Sequence, residues 1–316
     1  MARLAKTALR AKGLVRPRIA LMHDRMDWHS RQLIDAFAAL GVEAVPARLK
    51  ACGFDTRRPS DLLVDGFGGL PDAVLVRLIT GGSFEAVTVR LGVLHALAAL
   101  GVPVVNSARA VELCTDKSAT SFLLARAGLA TPATWTVQSL NAAQAIVEKE
   151  AIKGPLVLKP LFGSQGRGLK LIRRVADLPQ SELVAGVYYL QRFVGHERDG
   201  YCDMRVLVSK GAIVAAMTRH SRHWITNIKQ GAVPQRVIPD EAATRLALGA
   251  ARVLGADIAG VDIVTLRDGT HSVLEVNSMP GWFGLQQVTP FSIADRLASD
   301  FLARAGVDVK MLVLGD

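Results

Sequence analysis

The 316-residue sequence has few cysteines, few aromatic residues and no long apolar run. Its three cysteines, Cys52, Cys114 and Cys202, show no paired spacing, so neither a disulfide framework nor a zinc site is indicated and we expect ordinary buried thiols. No apolar run approaches the roughly 20 residues that a membrane-spanning helix needs, and the first residues lack the apolar centre of a secretory signal. We therefore expect a globular, cytoplasmic protein of two or three domains without a membrane partner.

Acidic residues are absent before Asp24, and this sets the charge of the chain. Six basic residues precede that position: Arg3, Lys6, Arg10, Lys12, Arg16 and Arg18. The net charge is +10, so the rest of the chain carries only +4. We interpret the basic leader as a solvated tail, although a targeting peptide or a phosphate-binding arm would have the same composition. Because no aromatic residues are interleaved with basic ones, we expect no nucleic-acid partner.

Strand-like and helix-like apolar patterns alternate through the first hundred residues. Strands are predicted near 18–23, 42–45, 73–76 and 102–105, with helices at 30–40 and 86–100. This alternation favours a parallel sheet covered by helices. The pattern changes near residue 107, and shorter strands follow. We predict four segments: a leader at 1–17, an N-terminal α/β domain at 18–107, a central unit at 108–186 and a C-terminal unit at 187–316.

The segment 260–282, GVDIVTLRDGTHSVLEVNSMPGW, carries the clearest site pattern. Glu275 and Asn277 are two residues apart on a predicted strand and therefore share a face. A hairpin turn at 267–270 would bring Asp262 on the partner strand beside them. Two carboxylates and an amide oxygen suit Mg²⁺, or Mn²⁺ in its place, better than zinc. Each residue taken alone could also be a turn former or a solvated strand residue, but together they predict a nucleoside triphosphate site.

A glycine-rich loop follows a predicted strand at 155–160. Lys159 ends this strand, and Gly163, Gly166 and Gly168 would let backbone N–H groups approach anionic oxygens. The loop is neither a Walker motif nor a dinucleotide fingerprint, since a strand and not a helix follows it. A hairpin loop can contain glycines without any ligand. A second lysine, Lys117, lies in the first turn of a predicted helix, where a cation opposes the helix dipole and a functional reason is indicated.

Two further segments place polar groups on predicted strands. Asp203 and Arg205 are two residues apart, Arg219 ends the next strand, and Asn227 lies in the loop that follows. Arginine forks recognise phosphates and carboxylates, although either arginine could also be a surface charge.

In this order, these residues resemble the RimK-like branch of the ATP-grasp ligases, over about residues 18–305. The resemblance implies an α/β (α+β) ATP-grasp fold, in which an N-terminal parallel-sheet domain precedes two ATP-grasp subdomains that clamp the nucleotide. The cofactors implied are ATP and Mg²⁺ or Mn²⁺, the metal being held by Asp262, Glu275 and Asn277. ATP contacts are implied for Lys117, Lys159, Gly163, Ser164, Gly166, Gly168, Gln191, Arg192, Phe193, Val194, Asp203 and Asn227.

The implied chemistry joins a carboxylate to an amine through an acyl phosphate. Arg205 and Arg219 would act as catalytic residues that stabilise the transferred phosphoryl group and the developing oxyanion. Ile225 stands where the ribosomal-protein-modifying branch has arginine, which favours a small-molecule acceptor. Arg77 is a candidate for binding an acceptor carboxylate, or a solvated strand-end residue. Trp282 could line the acceptor pocket or belong to the core.

The leading interpretation is an α-L-glutamate ligase that acts on a small acidic cofactor precursor, of tetrahydromethanopterin or methanofuran type. The expected partners are an amino acid and this acidic acceptor, with a possible homo-oligomer. The alternatives are a ligase of lysine or arginine biosynthesis that acts on a carrier protein, a ribosomal-protein glutamate ligase, a ligase resembling D-Ala-D-Ala ligase or glutathione synthetase, and a regulatory ATP-binding protein without turnover.

Overall fold

A computed structural model describes residues 16–163, 166–195 and 200–308 of the chain. Residues 1–15 of the basic leader, and Ser164 of the glycine-rich loop, lie outside the described residues. The chain forms two compact units. The first comprises the residues up to 111 together with 279–283 and those from 291 onward; the second comprises 112–278 and 284–290. Within the described part of the chain, no helix is both long and apolar enough to cross a bilayer.

The elements are numbered along the described chain. The strands are β1 (Arg18–Met22), β2 (Glu43–Ala47), β3 (Gly53–Phe54), β4 (Leu62–Leu63), β5 (Val74–Val76), β6 (Val104–Val105), β7 (Thr134–Val137), β8 (Leu156–Lys159), β9 (Lys170–Ile172), β10 (Tyr188–Arg192), β11 (Tyr201–Ser209), β12 (Ala212–Ser221), β13 (Val233–Arg236), β14 (Ile258–Thr265) and β15 (His271–Asn277). The α-helices are α1 (Trp28–Ala39), α2 (Phe84–Ala99), α3 (Ala108–Thr115), α4 (Lys117–Arg126), α5 (Leu140–Glu150), α6 (Glu241–Val253), α7 (Phe283–Gln287) and α8 (Ile293–Ala305).

The first unit is built on a four-stranded parallel sheet in the order β2-β1-β5-β6. Its central strands β1 and β5 are buried on both faces, which is why they read as continuous apolar runs and not as alternating ones. Helices α1 and α2 begin where Asp27 and Ser83 accept hydrogen bonds from the backbone amides of Ser30 and Ala86. The parallel sheet predicted from the sequence is confirmed.

The second unit contains two antiparallel sheets. One has the order β7-β10-β8-β9 and the other β13-β12-β11-β14-β15. The turn predicted between the last two strands is present: Gly269 adopts a φ of 84° and donates its amide to Leu266 over 3.0 Å. Such a φ is readily adopted by glycine. The turn aligns β14 with β15 and so determines which side chains of the two strands meet.

The three-part division predicted after the leader stays a prediction. Contacts place both antiparallel sheets in the second unit. Strand β10, which follows the predicted boundary at residue 186, pairs with β7 and β8 of the preceding segment. The C-terminal helix α8 belongs to the first unit, where Phe301 packs edge-on against Phe37 of α1 with ring centroids 5.4 Å apart.

Candidate active site

A cavity of about 720 Å³ lies within the second unit and is lined by residues from both antiparallel sheets. Its walls include many of the residues predicted to bind ATP: Lys117, Lys159, Gly163, Gly166, Gln191, Arg192, Phe193, Val194, Asp203 and Asn227. The predicted residues Arg219, Asp262 and Glu275 also line it. A volume of this size suits a small organic ligand.

A row of charged side chains crosses the five-stranded sheet. Arg219 on β12 lies opposite Asp203 on β11, and Arg205, two residues further along β11, lies opposite Asp262 on β14. Asp262 in turn lies opposite Glu275 on β15. Residues that are paired across strands or two apart on one strand share a face. The strand register therefore brings together five residues whose sequence numbers span more than seventy positions.

Asp262 is the most heavily bonded member of this row. Arg205 donates to both of its carboxylate oxygens, over 2.7 Å in each case, and Arg219 approaches Oδ2 to 3.0 Å. Burial raises the pKa of this carboxyl group, but the two guanidinium groups outweigh that effect and lower the pKa to about 2. Asp262 is therefore a carboxylate at neutral pH, and its orientation is fixed by the arginine on the neighbouring strand.

Asp203 is bound by Arg219 in the same two-pronged way. Nε of Arg219 donates to Oδ1 over 2.7 Å and Nη2 donates to Oδ2. Burial raises the pKa of the Asp203 carboxyl group above its usual range, and the neighbouring Asp262 adds to this, although Arg219 opposes it. Both residues are buried, Asp203 being 6% exposed and Arg219 2%. The contact between Asp203 and Arg219 thus orients an arginine that lines the cavity.

The predicted metal donors share one face of the β14–β15 pair. Asp262 and Glu275 are directly paired, and Asn277 follows Glu275 by two residues opposite Gly260. Glu275 is partly exposed, and its Oε1 lies 3.3 Å from Nζ of Lys117. No group of three or more histidine, cysteine or acidic residues forms a metal site in the described ranges. Two carboxylates with one amide oxygen fit a hard cation such as Mg²⁺, provided that Asp262 shares its oxygens with the arginines.

Two lysines reach the cavity from different elements. Lys117 begins α4, whose N-cap is Asp116, and its Nζ donates to the carbonyl of Gly163 over 2.9 Å. Lys159 ends β8. Desolvation lowers the pKa of the Lys159 ammonium and the neighbouring Lys117 adds to this effect, while Glu275 opposes it. An anionic ligand would relieve the repulsion between the two lysines.

The glycine-rich loop packs closely against its surroundings. Gly166 has a φ of 70°, and a Cβ placed on it would lie 2.5 Å from Oδ1 of Asn227 and 2.7 Å from a methyl group of Ile225. Gly168 has a φ of 71°, and a Cβ there would lie 2.8 Å from the ring of Pro160. Both positions need glycine for conformation and for space. The loop, which lines the cavity through Gly163 and Gly166, can therefore approach Asn227 only without side chains.

At the end of β10, where adenine binding is predicted, the side chain of Arg192 and the backbone groups have different partners. Arg192 points its guanidinium away from the cavity, where it donates to the carbonyls of Glu150 and Gly154 and forms an ion pair with Glu150 over 2.8 Å. The amides of Arg192 and Phe193 bond to the carbonyls of Ala133 and Pro155. Backbone groups beyond Phe193, and not the Arg192 side chain, are thus the groups that a base could meet.

Several lining residues were not found from the sequence. Tyr201 and Trp224 surround Phe193, with ring centroids 6.4 Å and 6.0 Å from its ring. Trp224 directly precedes Ile225 to Asn227, which could have drawn attention to it. Cys202 also lines the cavity and is exposed, so the expectation of three buried thiols is wrong for this residue.

Arg77 and Trp282, the two acceptor candidates, lie in the first unit and are not among the residues that line this cavity in the described chain. Both are buried, at 7% and 2% exposure. Arg77 donates to Oδ2 of Asp27 over 3.0 Å, and its guanidinium carbon lies 5.4 Å from the centroid of the Trp282 ring. The structure therefore brings the two together, but as a buried pair and not as exposed residues.

Comparison with known proteins gives concordant matches. The model of the RimK-like ATP-grasp domain matches residues 114–301. A tetrahydromethanopterin:alpha-L-glutamate ligase of Methanosarcina acetivorans is 31% identical over 264 residues, covering 76% of this chain and 80% of that protein. The ligase of that name from Methanococcus maripaludis is 34% identical over 207 residues, covering 64% and 70%. A coenzyme gamma-F420-2:alpha-L-glutamate ligase of Methanocaldococcus jannaschii is 30% identical, covering 73% and 81%.

Solved structures share the fold. A RimK domain ATP-grasp protein from Sphaerobacter thermophilus superposes with a TM-score of 0.68 at 24% identity, covering 89% of this chain and 98% of that one. The ATP-grasp ligase PsnB, solved with a phosphomimetic variant of its minimal precursor, Mg and ADP, also gives a TM-score of 0.68, at 20% identity, covering 92% and 99%. At these identities the likeness establishes the fold.

Proposed function

Because the chain belongs to the RimK-like ATP-grasp family of ligases, we propose that it uses ATP to join L-glutamate to a small acidic cofactor precursor of the tetrahydromethanopterin type. The observation that carries the ligase chemistry is the charged row of Arg219, Asp203, Arg205, Asp262 and Glu275 beside the cavity. The names of the relatives at 30–34% identity support glutamate and a cofactor acceptor. The acceptor's identity rests on those names alone.

In the proposed reaction, a carboxylate of the acceptor attacks the γ-phosphorus of ATP, and ADP leaves. The amine of glutamate then attacks the acyl carbon, the new C–N bond forms, and inorganic phosphate departs as the amine loses a proton. A metal held by Asp262, Glu275 and Asn277 would neutralise phosphate charge when bound. No protein nucleophile is required.

The residues of the chain contribute position and charge to these steps. Lys117 and Lys159 bind phosphate oxygens, and the backbone of Gly163 and Gly166 wraps them. Arg219, held by Asp203, presents its remaining N–H groups to the transferred phosphoryl group. Arg205 lies outside the cavity lining and positions Asp262.

The adenine site is proposed at the end of β10. The backbone beyond Phe193, at Val194, reads the base edge, and Tyr201 and Trp224 provide flat surfaces near it. Gln191 is itself anchored, since its side-chain amide donates to the hydroxyl of Tyr189 over 3.3 Å and that hydroxyl lies 2.7 Å from Oγ of Ser121. This buried chain of polar groups keeps the strand end in place beneath the base.

The test is ADP release by purified protein with Mg-ATP, L-glutamate and either tetrahydromethanopterin or coenzyme F420 as acceptor, with mass analysis of the product. A gain of one glutamate residue is expected. Replacing Glu275 by Ala should lower turnover by roughly a thousandfold because a metal ligand is lost, while circular dichroism stays unchanged.

The exposed Glu182 offers a matched control. Glu182→Ala removes the same side chain outside the site and should keep wild-type turnover. Wild-type turnover in Glu275→Ala would refute the assignment of the metal site. ATP binding without ADP release for any acceptor would count against the ligase activity itself.

A further inference from the structure

Three buried side chains of the first unit carry polar nitrogens that have no hydrogen-bond partner among the described residues. These atoms are both ring nitrogens of His23, Nε of Arg77 and Nε1 of Trp282. The three residues are only 2–7% exposed. A buried donor left without a partner is destabilising, and folded proteins leave few such atoms. Their occurrence in one small region points to a polar group that completes them.

His23 and Arg77 lie next to each other at the carboxyl ends of two central strands. Met22 ends β1 opposite Val76 at the end of β5, and Arg77 donates its amide to the carbonyl of Met22 over 2.9 Å. Met22 and Val76 pack into the apolar core on one face of the sheet. By the alternation of strands, the residues that follow them, His23 and Arg77, turn to the opposite face together.

This position is the switch point of the sheet. From β1 the chain goes first to β2 on one side and then to β5 and β6 on the other. The connections therefore run on opposite sides of the gap between β1 and β5, which leaves a crevice outside their carboxyl ends. In open α/β sheets this crevice is where ligands bind.

Trp282 is held at the same place by two contacts that leave its indole N–H unused. Its backbone amide donates to Nε2 of His29 over 3.0 Å, and its ring lies 5.4 Å from the guanidinium of Arg77. Asp27 completes the arrangement: Oδ2 accepts from Arg77 over 3.0 Å and Oδ1 accepts the amide of Ser30 over 2.8 Å as the N-cap of α1. The acidic residue is thus engaged, while Arg77 and Trp282 retain donors.

We propose that His23, Arg77 and Trp282 form a binding subsite for a carboxylate group of the substrate. Arginine Nε and indole Nε1 are donors only, and a histidine ring supplies at least one more donor. Such a set is complementary to a group with several acceptor oxygens and a negative charge. The subsite rests on the proposed function in one respect, namely that both substrates, glutamate and the acidic acceptor, carry carboxylates.

The test uses two substitutions that remove the unmet nitrogens, His23→Leu and Trp282→Phe. If the atoms have no ligand, the KM values of both carboxylate substrates stay unchanged, while the melting temperature is equal or higher in His23→Leu and falls in Trp282→Phe, because the smaller ring leaves a cavity. If they bind a carboxylate, the KM of one carboxylate substrate rises about tenfold in both variants, roughly one lost hydrogen bond. The KM for ATP should stay unchanged in both variants.

The KM values for the two substrates identify which of them places its carboxylate in the subsite. A raised KM for L-glutamate places the amino acid in the subsite, and a raised KM for tetrahydromethanopterin places the acceptor there. His95→Leu, on the exposed side of α2, is the matched control and should leave both constants unchanged. Unchanged constants for both substrates in His23→Leu and Trp282→Phe would overturn the subsite.

Calorimetry separates this inference from the proposed reaction. L-glutamate and tetrahydromethanopterin are titrated into wild type, His23→Leu and Trp282→Phe without ATP. Weaker binding of one of them to both variants supports the subsite even if no turnover is found. Binding that is equal in all three proteins, or absent from wild type, overturns it, whatever the outcome of the ADP assay.

Discussion

Two clusters of polar side chains, one in each unit, differ in how completely their hydrogen bonds are satisfied. In the second unit, the charged row is satisfied internally, since the carboxylates of Asp203 and Asp262 are each gripped by an arginine. In the first unit, the donors of His23, Arg77 and Trp282 are buried and partly unmet. Because the side chains of the charged row already hold one another in position, they can stabilise charge that develops during a reaction without first rearranging. An unsatisfied cluster gains most of its hydrogen bonds only when a ligand arrives.

The largest effect should come from breaking the satisfied row at its centre. Asp262→Asn leaves Arg205 and Arg219 short of a buried anion, which should lower the free energy of unfolding by about 3–5 kcal/mol. The loss of a metal ligand should lower turnover by roughly a thousandfold. Urea unfolding and ADP release measure the two. Asp35→Asn, on the exposed face of α1, is the control; if both variants behave alike, the row is not organised by Asp262 and the contrast between the units disappears.

A smaller effect is expected at the edge of the row. Asp203→Asn keeps the bond between Arg219 and Asp262 but loses the two-pronged grip on Arg219. We expect a ten- to hundredfold lower kcat with little change in the KM for ATP, because Arg219 loses orientation and not charge. Steady-state kinetics at saturating substrates decide this. A change confined to the KM for ATP would instead favour direct contact between Asp203 and the nucleotide.

A substitution in the glycine-rich loop tests the close packing of Gly166 against Asn227 without changing any charge. In Gly166→Ala the new methyl group meets Asn227 and Ile225, so the KM for ATP should rise about tenfold, corresponding to roughly 1.4 kcal/mol. Gly128→Ala is a matched control, because Gly128 has a φ of 72° and nothing within 4 Å of the added Cβ. Both variants should lose about 1 kcal/mol of stability through backbone strain. Equal KM values in the two would show that the close approach of Gly166 to Asn227 does not contribute to ATP binding.

The smallest effect concerns acid stability, which the two units share. The folded pKa of Asp262 is lowered to about 2, below an unfolded value of about 3.9. Its contribution to stability is therefore fully present above about pH 4 and is lost as the pH falls through about 2. The pKa of Asp27 is also lowered, because the hydrogen bond to His29 and the charge of Arg77 outweigh its burial. Unfolding measured between these pH values should depend less on pH in Asp262→Asn and in Asp27→Asn than in wild type; equal dependence would contradict both shifts.

The sequence predicted most of what local pattern controls. The parallel strands, the hairpin turn at Gly269 and the convergence of Asp262 with Glu275 follow from periodicity, turn chemistry and register. The pattern did not reveal the short β3–β4 hairpin, because two-residue strands carry no detectable alternation. Helix α5 was also not predicted, although Ser139 provides an N-cap.

The features that the sequence did not predict depend on contacts between residues far apart in the sequence. The spacing of Asp203 and Arg205 showed a shared face but not that each would bind a charge on another strand. The burial of Arg77 depends on a tryptophan about two hundred residues away. His23 gave no signal at all, since a histidine that follows an apolar strand looks like any surface residue until the sheet order is known.

Whether a side chain can replace the hydrogen of Gly163 depends on the residue at position 160, which is Pro160. The ring of this proline lies 3.2 Å from where a Cβ on Gly163 would be, and Gly163 has no other neighbour that would be approached as closely. Its φ does not demand glycine, unlike that of Gly168. A side chain at 163 therefore requires one neighbour, the Pro160 ring, to shift by a few tenths of an ångström, and only glycine at 160 would remove the contacting Cβ. In directed evolution the two positions should show epistasis: an alanine at 163 would cost less stability when residue 160 is glycine than when it is proline, so the order of the two mutations affects which sequences can be reached.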